Sequence, residues 1–108
     1  MTRARLLVVD DDSASADAVA EALRTEGYAV ETATGGREAL SCCDRTEYDV
    51  VVSDIRMPDL DGLGLLRALK GRQLQPSVIL MTAFGTVEAA LEAIKAGAYD
   101  YVSKPLRL

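Results

Sequence analysis

The 108-residue sequence contains no histidine and no tryptophan, and it has only one phenylalanine and two cysteines. Without histidine the chain lacks the commonest general base. Any catalysis therefore depends on carboxylates, Lys, Thr, Tyr or a metal ion. Cys42 and Cys43 are adjacent and show no CxxC spacing. Neither a disulfide between them nor a zinc site is expected, and we predict that both are buried, reduced and structural.

The chain also lacks a basic run and a long apolar segment. Its net charge is −5, so direct nucleic-acid binding by this segment is not expected. No apolar stretch approaches the roughly 18 residues that predict a membrane span, and none resembles a signal-peptide core. Hydrophobic residues make up 49% of the chain, enough for the core of one domain. We therefore expect a soluble, cytoplasmic, single-domain protein with no membrane contact.

Short apolar runs alternate with segments of helical periodicity. Strands are predicted at 5–9, 28–32, 49–53, 78–81 and 100–103. Helices are predicted at 13–26, 35–43, 63–70 and 86–96. This order predicts an α/β fold with a doubly wound, five-stranded parallel sheet and right-handed crossovers. A fifth helix is expected after Lys104-Pro105, and we expect this final helix to be missing from residues 1–108, a C-terminal truncation.

The helical segments carry recognisable stops and faces. Gly27, Gly71 and Gly97 follow three of them and predict their ends. The apolar positions of the first helix are Ala16, Val19, Ala20 and Leu23, and those of the last are Val87, Ala90, Leu91 and Ile94.

Polar side chains follow four of the predicted strands, namely Asp10, Asp11, Asp54, Thr82 and Lys104. The carboxyl ends of parallel strands lie at one edge of a sheet, so these groups are expected to converge. Carboxylates at one point repel each other unless a hard cation lies among them, and Mg2+ prefers one or two carboxylates with phosphate oxygens. A carboxylate can itself accept a phosphoryl group as an acyl phosphate. The sequence therefore predicts a magnesium-dependent phosphate site.

Five motifs together resemble the receiver domain of a bacterial two-component response regulator. They are Val8-Val9-Asp10-Asp11, Ser53-Asp54-Ile55-Arg56-Met57-Pro58, Asp61-Gly62, Met81-Thr82-Ala83 and Tyr101-Val102-Ser103-Lys104-Pro105. The segments 81–90 and 97–101 further resemble receivers of the NtrC type. The resemblance, and not the periodicity, implies a flavodoxin-like sheet with strand order 2-1-3-4-5.

The resemblance implies a role for each matching acid. Asp54 is expected to accept the phosphoryl group and to contact Mg2+. Asp10 and Asp11 form the acidic pair, with Asp11 a direct metal ligand. The backbone carbonyl of Arg56 is expected to be a further ligand.

The resemblance also implies the residues that respond to phosphorylation. Thr82 would follow the phosphoryl group, Tyr101 would turn inward as an aromatic switch, and Lys104 would neutralise the phosphate. The Lys104-Pro105 peptide bond is expected to be cis. Arg56 and Phe84 stand two residues beyond the phosphoacceptor and the threonine, at positions that influence water access. Because neither orients an attacking water well, we predict slow self-dephosphorylation.

The implied partners are a sensor histidine kinase as donor and an output domain outside this chain. For an NtrC-type regulator the output would be an AAA+ ATPase and a DNA-binding domain that control transcription. Phosphorylation would change the face formed by helix 4 and strand 5, and a phosphorylation-dependent homodimer is a further partner that the resemblance implies. The domain would catalyse its own phosphorylation from phosphohistidine without being an enzyme in the usual sense.

Two other functions fit parts of the sequence. A haloacid-dehalogenase-type enzyme uses an Asp-x-Asp-x-Thr pattern, which Asp10 and Asp12 begin but Ala14 breaks. A receiver that only binds partners would need no phosphoacceptor chemistry, although all five polar strand-end residues are present.

Several residues near the site have simpler explanations. Asp12 or Ser13 is expected to cap the first helix, and Asp59 and Asp61 are expected to be loop or cap residues and not ligands. Pro58 and Gly62 are expected to shape the backbone of the loop.

Overall fold

Parallel strands and helices alternate along the chain in the computed structural model, which describes residues 3–73, 75–83 and 87–104. The strands are β1 (Arg5–Val9), β2 (Ala29–Ala33), β3 (Val50–Asp54), β4 (Ser77–Thr82) and β5 (Asp100–Ser103). The helices are α1 (Ser13–Thr25), α2 (Gly36–Arg45), α3 (Gly62–Lys70) and α4 (Val87–Lys95). The predicted order of elements is confirmed. Boundaries shift most at α2, which continues past Cys43 to Arg45.

All strand pairs in the sheet are parallel, and the strand order is β2-β1-β3-β4-β5. The α/β fold class and the order that the family resemblance implied are both confirmed. Among the described residues no helix follows β5, whose last residue is Ser103. Because every strand runs in the same direction, the residues that follow the strands lie together at one edge.

The core lies on both faces of the sheet, and β1 contributes to each face in alternation. Leu7 and Val9 pack in one hydrophobic cluster with α3, where Leu66 is fully buried. Leu6 and Val8 pack in a second cluster with α1. Successive side chains of a strand point to opposite faces, so an unbroken apolar run is what a strand covered on both faces requires.

The predicted apolar face is correct for α1 and differs for α4. In α1, Ala16, Ala20 and Leu23 are buried and Val19 packs against them in part. In α4 only Ala93 is buried, while Val87, Leu91 and Ile94 are 77%, 55% and 49% exposed. The small Ala93 side chain meets the core, which turns the larger apolar residues of α4 toward solvent. We call this exposed set, Val87, Leu91 and Ile94, the α4 apolar face.

The helix ends follow the predicted signals. Asp12 caps α1 and accepts a hydrogen bond from the Ala14 N–H at 3.2 Å. The Ser15 hydroxyl and then the Ala14 N–H lower the pKa of Asp12, since both stabilise its charged form. Gly27 and Gly97 have positive φ angles of 98° and 105°, the left-handed conformation that suits the residue after a helix.

Cys42 and Cys43 are free thiols, as predicted, but both are half-buried and not fully buried. Burial raises the pKa of each thiol above its ordinary value, so both remain protonated at neutral pH. Within the part of the chain that the structure describes, no helix has the length and apolar character to cross a membrane.

Candidate functional site

Three carboxylates meet at the carboxyl edge of the sheet. Asp10 follows β1, Asp11 is the next residue, and Asp54 ends β3. Val9 and Ser53 are paired in the parallel register of β1 and β3, so the residues after them are neighbours. One carboxylate oxygen from each acid lies within 4.8 Å of the others. The predicted convergence of these acids is confirmed.

Asp10 is the buried member of the cluster, with 1% of its surface exposed. Its backbone N–H donates to the Ala33 carbonyl at 3.1 Å, which fixes the end of β1. One carboxylate oxygen accepts the Asp12 N–H at 3.0 Å, and the other accepts the Lys104 ammonium at 2.7 Å. A buried carboxylate held by a charged donor and a backbone amide is compensated on both oxygens.

Lys104 connects the acids to β5. Its Nζ lies 2.7 Å from Asp10 Oδ2 and 3.3 Å from Asp54 Oδ2, and its backbone N–H donates to the Thr82 carbonyl at 2.8 Å. Burial alone would lower the pKa of Lys104. The hydrogen bond to Asp10 and the charges of Asp54 and Asp10 outweigh burial and raise that pKa. Lys104 is therefore a fixed positive charge between the two acids.

The other three predicted site residues occupy different positions. Thr82 is the buried last residue of β4 and lies opposite Ser103 of β5. Arg56 is exposed in the loop after β3, where it lines a hollow of about 360 Å³ together with Asp11. Tyr101 is half-buried in β5 and packs against the hydrophobic cluster that contains Leu66 of α3. Phe84 and Pro105 lie outside the described residues.

The donor set suits a divalent hard cation. Three carboxylates and one ammonium leave a local charge of −2, from −3 and +1. Asp11 is exposed beside the hollow and offers an oxygen to an ion that retains several waters. Mg2+ favours such a site with few carboxylates and open positions for waters or phosphate oxygens. The residues present therefore fit Mg2+.

The loop between β3 and α3 folds back tightly onto the end of β3. The Gly62 N–H donates to the Ile55 carbonyl at 2.9 Å, and a Cβ at Gly62 would lie 2.6 Å from the Asp54 carbonyl oxygen. Only glycine permits this approach, so the predicted backbone role of Gly62 is confirmed. Asp61 accepts the Gly64 N–H at 2.7 Å and caps α3, which confirms its predicted role as a cap.

Asp59 has a partner that sequence reasoning did not identify. Its carboxylate accepts the backbone N–H groups of Gly36 and Arg37, which begin α2. The sequence does contain one signal for this contact, which lies at the start of α2. Gly35, the residue before that helix, has no side chain to cap it. The first amides of α2 therefore find their acceptor in another segment of the fold, at Asp59.

The comparisons with known proteins agree with this geometry. Residues 6–108 match the family described as the response regulator receiver domain, and the chain belongs to that family. The regulatory protein AtoC of Escherichia coli is 40% identical over 96% of this chain, and the DNA-binding transcriptional regulator NtrC of Salmonella typhimurium is 42% identical over 97%. The chain spans 23% and 22% of the lengths of these two relatives. Both of these relatives are regulators of the NtrC type.

Solved structures show the same fold. The chemotaxis protein CheY4 of Vibrio cholerae superposes with a TM-score of 0.90 at 31% identity, covering 98% of this chain and 90% of that protein. The Francisella response regulator 1452 receiver domain superposes with a TM-score of 0.90 at 34% identity, covering 97% and 87%. Family membership does not support the dehalogenase-type alternative, and Asp12, which that alternative needs in the site, caps α1 instead.

Proposed function

We propose that this receiver domain is a phosphorylation switch in which Asp54 accepts a phosphoryl group in the presence of Mg2+. The observation that carries the proposal is the Lys104 ammonium, which contacts Asp10 and Asp54 inside a cluster of three carboxylates. A phosphoacceptor needs a positioned carboxylate and positive charge for the incoming phosphate, and both are present.

The transfer requires no general base. An Asp54 carboxylate oxygen forms the new bond to phosphorus while the bond from phosphorus to the donor breaks, and its electron pair leaves with the donor. When bound, Mg2+ supplies positive charge that offsets the repulsion among the acids and the phosphate. Asp10, Asp11 and Asp54, with the Arg56 carbonyl, are the residues that would hold it. Lys104 lies close enough to Asp54 to pair with an oxygen of the transferred phosphoryl group. Phosphoryl transfer is catalysed mostly by such positioning and charge neutralisation.

The response would pass through Thr82 and Tyr101 to α4 and β5. Thr82 lies at the end of β4, and its carbonyl accepts the Lys104 N–H. A shift of Lys104 toward the phosphate would therefore move the end of β4 through this hydrogen bond. The α4 apolar face is exposed and available to an output domain. We infer that a histidine kinase in the cytoplasm donates the phosphoryl group. The controlled output would be an AAA+ ATPase and a DNA-binding domain. A phosphorylation-dependent homodimer would form through the same α4 apolar face.

The test uses Mg2+ and acetyl phosphate as a small phosphodonor, with intact-mass spectrometry to detect one added phosphoryl group. We expect uptake by the wild type, loss of the group with hydroxylamine as for an acyl phosphate, and no uptake by Asp54→Asn. Asp17→Asn, which removes an exposed acid of α1 outside the cluster, is the matched control and should behave as the wild type. Absence of uptake by the wild type, or undiminished uptake by Asp54→Asn, would overturn the proposal.

A further inference from the structure

The first turn of α2 is capped by a side chain from the β3–α3 loop. Asp59 Oδ1 lies 3.3 Å from the Gly36 nitrogen, and Asp59 Oδ2 lies 3.2 Å from the Arg37 nitrogen. The partners are 23 and 22 residues apart in sequence. The two oxygens of one carboxylate thus satisfy two of the amides that a helix start leaves without intrahelical partners.

Close packing joins the same two segments. A Cβ at Gly36 would lie 2.3 Å from the Leu60 carbonyl oxygen, and a Cβ at Gly35 would lie 3.1 Å from both Asp59 oxygens. The loop backbone therefore rests directly on the start of α2. A side chain at Gly36 would force the two segments apart, because it would meet the backbone of Leu60, whereas one at Gly35 would require only a small shift of the Asp59 carboxylate.

The loop that Asp59 holds is the loop of the candidate phosphoacceptor site. It leaves β3 at Asp54, and Arg56 and Asp61 both line the hollow beside Asp11. The Ile55 N–H, bonded to the Met81 carbonyl, anchors the start of the loop. The Asp61 cap on α3 anchors its end. Asp59 ties the stretch between these anchors to a different helix.

We propose that Asp59 is a positioning residue that holds the Arg56 carbonyl at the metal site by tying this loop to the first turn of α2. The inference rests on the proposed function, since it concerns the same Mg2+ site. Its consequence is a coupling between two events. Mg2+ binding favours the ordered loop, the ordered loop presents Asp59 to α2, and thermodynamic linkage makes the effect reciprocal.

The first test is the Mg2+ dependence of phosphorylation by acetyl phosphate in Asp59→Ala. Loss of a residue that orients a metal ligand typically weakens metal binding about 10–100-fold, so we expect the half-saturating Mg2+ concentration to rise by about tenfold. The rate at saturating Mg2+ should stay within about twofold of the wild type, because excess metal restores the loop. Asp59→Asn keeps one acceptor oxygen, so its half-saturating Mg2+ concentration should lie between those of the wild type and Asp59→Ala.

Glu38→Ala is the matched control. The Glu38 carboxylate accepts from the Thr34 hydroxyl at 2.9 Å and the Thr34 N–H at 3.3 Å, so it also stabilises the start of α2. Both of these hydrogen bonds join Glu38 to Thr34 and not to the loop after β3. We expect Glu38→Ala to weaken α2 without changing the half-saturating Mg2+ concentration.

The second readout needs no phosphorylation. Amide hydrogen exchange at Gly36 and Arg37 should slow when Mg2+ is added to the wild type and should not respond to Mg2+ in Asp59→Ala. Equal Mg2+ dependence in Asp59→Ala and wild type, or equal shifts in Asp59→Ala and Glu38→Ala, overturns the coupling and leaves the proposed function intact. A wild type that takes up no phosphoryl group overturns both.

Discussion

The three acids at the sheet edge differ in what surrounds each side chain. Asp10 is buried and accepts from Lys104 and from a backbone amide. The Asp54 side chain is mostly buried and shares the same ammonium at the longer distance of 3.3 Å. Asp11 is exposed beside the hollow. Adjacent residues of one sequence motif thus have separate surroundings, because Asp10 is paired with Lys104 and Asp11 is open to a cation from solution. One lysine offsets only one of the three negative charges, which leaves the cluster with a charge of −2.

Lys104→Met tests this competition between lysine and metal. A hydrogen bond to a charged group is worth about 1.5–3 kcal/mol, and Lys104 makes two such bonds to groups that would also face Mg2+. We expect Mg2+ to bind the variant roughly tenfold more tightly, a factor that corresponds to about 1.4 kcal/mol. Phosphorylation by acetyl phosphate should nevertheless be slower, because the charge that pairs with the phosphate is gone. Competition with a metal-sensitive dye measures the affinity.

Lys95→Met is the control for the lysine experiment, since Lys95 is an exposed residue in the last turn of α4. It should change neither the affinity nor the rate. Weaker Mg2+ binding in Lys104→Met would contradict the account, because it would mean that Lys104 organises the acids more than it competes with the metal.

At the scale of elements, α4 shows how periodicity can locate a helix without orienting it. The apolar spacing of Val87, Leu91 and Ile94 correctly predicted helical structure, yet these residues face solvent. The buried position, Ala93, contributes little to an apolar pattern because its side chain is small. A helix that contacts its sheet through alanine leaves its larger apolar residues exposed. Exposed apolar patches of this kind commonly mark a surface that contacts another protein.

Two leucine truncations test the orientation of α4. Leu66→Ala in α3 removes a fully buried side chain and should lower the free energy of unfolding by about 2–5 kcal/mol. Leu91→Ala in α4 makes the same chemical change at a 55% exposed site and should cost no more than about 0.5 kcal/mol. Urea denaturation followed by circular dichroism measures both. Similar losses for the two variants would show that the α4 apolar face is covered in solution.

At the scale of the whole molecule, the site exists only when the sheet is assembled. Its acids come from β1 and β3, and its lysine follows β5. An ion that contacts all three acids therefore prefers the folded chain. Because a ligand that binds only the native state stabilises it, the free energy of unfolding is expected to depend on Mg2+.

The prediction is a rise in unfolding free energy with Mg2+. At a concentration 100 times the dissociation constant the gain is about 2.7 kcal/mol. Asp11→Asn should lose this gain and should also be more stable than the wild type without Mg2+, because it relieves repulsion among the acids. Thermal denaturation with Mg2+, and with NaCl at the same ionic strength, makes the comparison. An equal shift with NaCl would indicate screening and not binding.

The sequence was sufficient to predict the order of strands and helices, and with it the convergence of Asp10, Asp11 and Asp54. Asp10 and Asp11 follow one strand and Asp54 ends another, and parallel strands end at one edge, so short-range patterns place all three acids at that edge. The Asp59 contact with α2 was not predictable in this way, because it joins segments 22 and 23 residues apart with no shared period. The 2-1-3-4-5 order likewise came from the family resemblance, since alternation alone leaves several sheet orders open.

The contact between Lys104 and Asp10 spans 94 residues, nearly the length of the chain. During synthesis at about 5–20 residues per second, Asp10 precedes its cationic partner by roughly 5–20 s. During that interval the nascent chain carries Asp10 and Asp11, and later Asp54, without the ammonium that joins Asp10 to Asp54. A nascent chain that ends before Lys104 thus lacks the assembled cluster, which is complete only when β5 has joined the sheet and Lys104 contacts Asp10 and Asp54.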